Sequence, residues 1–449
     1  ALDPVLEGVF PRAQHAGLLT ANPEELLTDL DAFTNFSSFE NDDESVDEVL
    51  KFRDKGYLLE FNSQEELRAY LGAEPIVSKF AVLWKWREGA WKKRVILDLK
   101  ASSVTACTRA THRVVLPRVS DAVQDVLELL WDQAPGEGIE WAVMDFTDAF
   151  WHIPLAFQER RHFIGMARGK FYVFARAAQG SRNGPLAWAA VISVVMRLSQ
   201  SLFAAPLGDA ARRSPENVRM QLYVDDPAIA LRGSQGVRDH NIAKLALCWL
   251  VLGLPLAFAK ARRGTSVPWI GCQLSIKTDF VEVTILASKV DDLRRVTQAL
   301  LHVNVIAIKA LRSYIGTVNH FATILFTWRP FLSELWGALG SILHPTDGQA
   351  SSSRAPRNCV WQRQVASALS WIDAFLQGVV GDINRRFHIS AYRWDGSAVR
   401  IVSDASPWGI RAYLQVEGAI VSWFSCAVDQ QAQEYLKIAV GSSEAQQTL

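Results

Sequence analysis

Asp145-Phe146-Thr147-Asp148-Ala149-Phe150 and Tyr223-Val224-Asp225-Asp226, whose Asp225 lies 80 residues after Asp145, are the stretches on which the reading of this chain turns. Residues 141–145 read as a short apolar strand ending in a carboxylate. Residues 221–224 and 228–231 flank Asp225-Asp226 as a tight hairpin. Each stretch therefore sets an acid at the end of a strand. Neighbouring strands of one sheet can bring such acids together, where they repel and their pKa values rise unless a cation intervenes. Hard ions such as Mg2+ take oxygen ligands, and two of them roughly 3.5–4 Å apart support phosphoryl transfer. Asp145, Asp225 and Asp226 are thus candidate ligands of a two-ion magnesium site, with Mn2+ as a possible substitute.

An Asp-Asp pair in a turn is common by itself, and the residues between the two stretches give it weight. Gln179-Gly180-Ser181-Arg182-Asn183-Gly184-Pro185 is a Gly-rich loop opening a helix predicted at residues 183–202, with Pro185 in its first turn. Backbone without a Cβ can approach a base pair closely. Phe150, five residues after Asp145, stands where it can press on a nucleotide sugar and exclude a 2′-OH; ordinary core packing is the alternative.

Outward from these stretches, residues 77–86 and 92–99 are rich in β-branched and aromatic side chains around a turn at residues 87–90, which predicts a β-hairpin with basic residues near its tip. Helical periodicity marks residues 119–131, 239–252, 291–301, 307–325, 331–342 and 360–380. Residues 345–356 are the best linker candidate, and residues 400–424 return to strand texture. The chain has 449 residues, 49% of them apolar, which implies packed domains rather than disorder. Its net charge of zero hides an asymmetry: residues 1–75 carry 17 acidic against 5 basic side chains, leaving 30 against 42 in the rest. A basic body suits a polyanion. Residues 1–70 read as an acidic N-terminal leader, with residues 1–45 expected to be loosely ordered and a helix start at Ser63, Glu66 standing three residues on. Five scattered cysteines, with no paired spacing, argue for free thiols in a reducing intracellular compartment, cytoplasmic or nuclear. No stretch reads as a signal peptide or a membrane span, so no membrane partner is expected.

At the acidic motifs the chain resembles the reverse transcriptase family, over roughly residues 76–343. The resemblance implies an α+β right-hand polymerase: fingers and palm over residues 71–287, helical thumb and connection over 288–345, a linker at 346–358 and a helical connection over 359–395. Lys92-Lys93-Arg94-Val95-Ile96-Leu97-Asp98 is similar to the family's fingers pattern, which implies triphosphate contacts from Arg94 and Lys92. Leu116-Pro117-Arg118 resembles the stretch before the palm. Asp145, Asp148, Ala149 and Phe150 match the first palm motif, with Phe150 as steric gate. Gln179, Gly180, Gly184 and Pro185 match the loop that holds template base and nucleotide. Tyr223 to Asp226 match Tyr-x-Asp-Asp, whose Tyr223 is expected beside the primer. Lys260 matches the lysine that protonates the leaving pyrophosphate, and Trp269 and Gly271 match the primer grip. Pro227 departs from the usual aliphatic residue and puts the geometry of the hairpin exit in question.

Val402-Ser403-Asp404-Ala405-Ser406 resembles the first strand of retroelement RNase H domains. This implies a partial RNase H-like α/β segment at residues 396–449, with Asp404 and Glu444 as candidate acids and no useful nuclease activity. The function implied is RNA-directed DNA synthesis in a retrotransposon-like element, on a primed RNA or DNA template with deoxynucleoside triphosphates. A catalytically inactive nucleic-acid-binding relic of the same fold is the alternative, and an interaction protein using the acidic segment as a docking arm is a third. Oligomeric state is not legible.

Overall fold

The computed structural model describes residues 33–87, 90–108, 114–131, 133–177, 180–203, 217–343, 355–436 and 438–442. The chain divides into two compact units at Arg386/Phe387.

Among the described residues, the first unit is built on a five-stranded sheet, two four-stranded sheets, a two-stranded pair and a helical group. A four-stranded sheet runs in the order Val218–Tyr223, Asp226–Gly233, Gly138–Val143, Arg262–Gly264, all neighbours antiparallel. Asp226–Gly233 is buried almost throughout, which fits a central strand covered on both faces. Its side chains alternate. Ile229 and Leu231 join Trp188, Ile192, Leu245 and Trp249 from helices Gly184–Ser201 and Gln235–Val251. Ala228 and Ala230 point the other way, and the helix Val119–Trp131 packs on the same strand. That helix also reaches the outer strand through charge: Arg219 pairs with Glu128 at 2.7 Å, and Gln221 donates to the buried Asp125 at 2.8 Å.

A five-stranded sheet runs in the order Leu58–Phe61, Lys170–Phe174, Ile164–Ala167, Val77–Arg87, Ala90–Asp98. Only the contact between Val77–Arg87 and Ile164–Ala167 is parallel. Gly165 is required there, because a Cβ would stand 2.3 Å from the Phe80 ring. The long hairpin formed by Val77–Arg87 and Ala90–Asp98 is the one expected from the sequence.

Beyond it, strands Ser266–Trp269, Cys272–Ile276 and Phe280–Ile285 lead to helices Ala287–Leu301, Ile308–Ala322, Arg329–Leu343 and Ala366–Leu376, which pack on one another. The segment expected to be a helical connection, 359–395, is only partly so. Cys359–Trp361 is a strand paired antiparallel with Val305–Ala307, and Asn384–His388 is another strand. Its apolar residues 359–361 satisfy a sheet edge that periodicity alone does not reveal. Most of the expected linker, residues 346–358, lies outside the described residues.

The second unit holds an antiparallel meander, Val399–Ser406, Gly409–Val416 and Ala419–Ala427, followed by the helix Gln430–Leu436. Among the described residues no helix is long and apolar enough to cross a membrane.

The N-terminal expectation needs correction. Residues 1–32 lie outside the described residues, but from Phe33 onward the acidic segment is folded, not loose. Helices Ser37–Glu40 and Asp43–Asp54 bury Phe39, Val46 and Val49 in the same core as Phe80, Val95 and Leu97. The acids that suggested a solvated leader have partners: Asp42 and Glu44 both reach Lys93, each at 2.7 Å, and Asp43 reaches Arg168 at 2.5 Å. The high charge misled because its neutralising cations are distant in sequence.

Phe39 is fully buried and stacks on Phe80 at 5.0 Å. Phe39→Ala is expected to lower stability by about 3–5 kcal/mol in urea unfolding. A loss within about 0.5 kcal/mol, as for an unpacked surface site, would contradict the placement of this segment in the core.

Candidate active site

Past Val143, the chain from the strand Gly138–Val143 stays extended between two neighbours. On one side Met144 N–H donates to Pro227 O at 3.1 Å and Phe146 N–H to Asp225 O at 3.0 Å. On the other, Thr147 N–H donates to Pro255 O and Ala257 N–H to Asp145 O, both at 2.9 Å. Asp145 is therefore gripped by backbone from both flanks. Tyr223 pairs with Asp226 across the hairpin, so Val224 and Asp225 form a two-residue turn.

Val224 has φ 57°, which a β-branched residue seldom adopts. Such a conformation costs roughly 1–2 kcal/mol. Two buried tryptophans brace the turn. Trp188 Nε1 donates to Val224 O at 2.6 Å, and Trp269 Nε1 to Asp226 O at 3.1 Å. Pro227 does not disturb the hairpin: Leu222 stands opposite it, and its carbonyl accepts the Met144 N–H.

These constraints place the three acids together. The Asp226 carboxyl hydrogen-bonds that of Asp145; burial first, then the charges of Asp225 and Asp145, push it up to about 7. Burial, with the charge of Asp145, also raises Asp225, while Lys260 and Arg94 pull it down. Lys260 Nζ lies 2.8 Å from Asp145 Oδ2, and that bond holds its ammonium above the usual lysine range. The donor set is hard carboxylate oxygen with more negative than positive charge, and in kind it fits a divalent cation such as Mg2+. Its present arrangement is not a cage: among the described residues no group of three or more His, Cys, Asp or Glu is disposed to hold a metal. Lys260 and the Asp145–Asp226 hydrogen bond engage oxygens that a cation would take.

Other sequence candidates gather around this centre or fall away from it. Arg94, on the strand Ala90–Asp98, is exposed and near enough to act on Asp225; Lys92 shares that strand, its side chain lying outside the described residues. Ala149 is buried and Phe150 half-buried, on the 3-10 turn Ala149–His152. Gln179 lies outside the described residues. Gly180, φ 102°, has a close neighbour other than the expected base pair: a Cβ there would stand 3.0 Å from Leu97 O, on the strand that carries Arg94. Ser181 Oγ caps the following helix by accepting from Gly184 N–H, and Pro185 is exposed in its first turn. Tyr223 is half-buried.

Trp269 needs correction as a primer-facing side chain. It is buried, and its indole holds Asp226. Ile270 and Gly271 beside it form the two-residue turn between Ser266–Trp269 and Cys272–Ile276, with φ 38° and 84°, and His320 Nε2 lies 2.8 Å from Ile270 O. Asp404 sits in the second unit, exposed and opposite Arg411 across the ladder; Glu444 lies outside the described residues. Sequence reasoning missed Trp188 as a brace, and missed Lys55 and Tyr57, which bond the Asp148 carboxylate. Contacts spanning 36 to 93 residues leave no local signal.

No family model and no curated protein sequence matches this chain. Solved structures do. The foamy viral protease-reverse transcriptase dRH in complex with double-stranded DNA superposes with TM-score 0.53 at 16% identity, covering 94% of this chain and 60% of that one. Foamy viral protease-reverse transcriptase in complex with RNA/DNA hybrid, and with double-stranded DNA, both give TM-score 0.46. Their identities are 15% and 17%; they cover 89% and 90% of this chain, and 44% and 70% of theirs. The chain thus has a reverse-transcriptase-like fold of mixed helix and sheet, and spans 60% of the length of the first of these structures.

Asp226 yields a pH-dependent test. With its carboxyl raised to about 7, the folded protein keeps a proton that an unfolded chain releases near 3.8. Stability therefore falls as pH rises through that window and is level above it. In chelator, Asp226→Asn is expected to stabilise the protein by on the order of 2 kcal/mol at pH 8. The gain should shrink toward pH 4 in urea unfolding; a gain independent of pH would overturn the crowded-carboxylate account.

Proposed function

We propose that this chain is an RNA-directed DNA polymerase, a reverse transcriptase of a retrotransposon-like element that extends a primer 3′ end on an RNA or DNA template. The observation that carries the reading is the convergence of Asp145, Asp225 and Asp226 beside Lys260 and Arg94 at one end of the four-stranded sheet, in a chain with a reverse-transcriptase-like fold. In this reading residues 71–287 are fingers and palm, and residues 288–345 the thumb.

Asp145, Asp225 and Asp226 would hold two Mg2+ ions, or Mn2+ in their place. Bound there, the ions supply activation of the primer hydroxyl and neutralisation of the triphosphate. The remaining work belongs to the chain's own side chains. Arg94, with Lys92, binds the incoming deoxynucleoside triphosphate by charge. Phe150 stands against the sugar where a 2′-OH would project. Lys260, protonated at neutral pH, is the proton donor for the leaving pyrophosphate. The turn at Ile270–Gly271 and Pro185, exposed beside the buried Gly184 at the helix start, are the surfaces offered to primer and template. Positioning and fixed charge account for most of the rate in such a site.

A second reading, an inactive nucleic-acid-binding relic, draws on the engagement of the carboxylate oxygens by Lys260 and by the Asp145–Asp226 hydrogen bond. For residues 396–449 the reading is a partial RNase H-like segment, with Asp404 and Glu444 as its candidate acids and no useful nuclease activity.

Primer extension on poly(rA)/oligo(dT) with and without Mg2+, repeated with Mn2+, separates the two readings. The polymerase reading expects metal-dependent incorporation. It also expects Asp225→Asn to reduce incorporation by at least roughly 10²–10³-fold while primer-template binding is largely kept. No incorporation with either ion, or an Asp225→Asn protein of undiminished rate, would sink it.

A further inference from the structure

The turn bearing Asp148, Ala149 and Phe150 is held from outside the carboxylate site. Asp148 adopts left-handed backbone, φ 56° and ψ 34°, and opens the 3-10 turn Ala149–His152. Its Oδ2 accepts from Lys55 Nζ at 2.7 Å and from the Tyr57 hydroxyl at 3.2 Å. At the other end of the turn Trp151 is buried. Tyr57 stacks on it at 5.0 Å and 10°, Phe52 meets it at 4.6 Å, and Phe174 stacks at 5.8 Å.

The grip is itself rigid. Tyr57 N–H donates to Phe52 O at 3.0 Å, and Tyr57 O accepts from Ala175 N–H at 2.9 Å. Residues 52–57 thus hold the turn on both sides of Ala149 and Phe150: by charge at Asp148 and by ring stacking at Trp151. The Lys55–Asp148 pair is poorly placed to serve stability, since the lysine side chain is 50% exposed and exposed pairs contribute little. What it fixes is position. A side chain that rejects a hydroxyl by contact loses selectivity when its support moves by a fraction of an ångström. The pair also cancels the charge of an acid next to Phe150, where an unpaired carboxylate would repel a triphosphate.

We propose that Lys55 and Tyr57 are positioning residues that fix the Asp148–Phe150 turn and so set this site's preference for deoxyribonucleotides over ribonucleotides. The proposal rests on the polymerase reading, because it presumes that the Phe150 ring meets the sugar.

The test is single-nucleotide incorporation of dTTP and of UTP on poly(rA)/oligo(dT) by the full chain, with thermal melting in parallel. In Lys55→Met the dTTP/UTP ratio of kcat/KM is expected to fall about tenfold. KM for dTTP should rise and the melting temperature should hold. Lys55→Arg, which keeps the charge, should restore the ratio. Tyr57→Phe keeps the stacking on Trp151 and removes one hydrogen bond, so its ratio should fall by less than that of Lys55→Met. A wild-type ratio in both Lys55→Met and Tyr57→Phe, from an active wild-type protein, overturns this proposal alone. So does a fall in Lys55→Met that Lys55→Arg does not restore. A wild-type chain that incorporates neither nucleotide overturns the polymerase reading, and this proposal with it.

Discussion

Like charges held close together are the constraint around which this molecule is arranged. When ionised, Asp145, Asp225 and Asp226 repel one another, and rigid backing holds them adjacent. The backing is backbone: Asp145 is bonded on both flanks, and the hairpin opposite is braced by Trp188 and Trp269 through main-chain carbonyls. The strain at Val224 belongs to the same design, since a left-handed β-branched residue persists only where its surroundings over-determine it. Lys260 and Arg94 relieve the repulsion in part, and burial keeps it from being dissipated by water.

Much of this was legible in the sequence, for a physical reason. The acids sit at the ends of short apolar strands, and strand texture, turn residues and helix starts are local properties. The helix Val119–Trp131, the long hairpin and the turn at Val224–Asp225 all follow from runs that are contiguous in the sequence. Pro227 was the exception that proved harmless. A proline lacks only the donor, and the bond made at this position uses its carbonyl.

What was not legible depends on partners far along the chain. Asp42, Asp43 and Glu44 read as part of a loosely ordered leader because Lys93 and Arg168 are distant; folded, they fasten the helix Asp43–Asp54 to the hairpin strand at Lys93 and to the turn at Arg168. Trp269 read as a surface for a primer, yet the indole faces inward to a carbonyl. Burial direction on a short strand is fixed by the neighbours the strand acquires, not by its own residues. The strand Cys359–Trp361 belongs to the same class, since its pairing partner lies more than fifty residues earlier.

Gly180 has a mechanical consequence. Its α-carbon rests so near the carbonyl of Leu97 that the loop entering the helix Gly184–Ser201 and the strand Ala90–Asp98 abut without an intervening side chain. Two pieces of backbone in such contact have little room to slide. Any tilt of the hairpin toward a bound ligand must drag the loop along, as one lever moves another through a shared pivot.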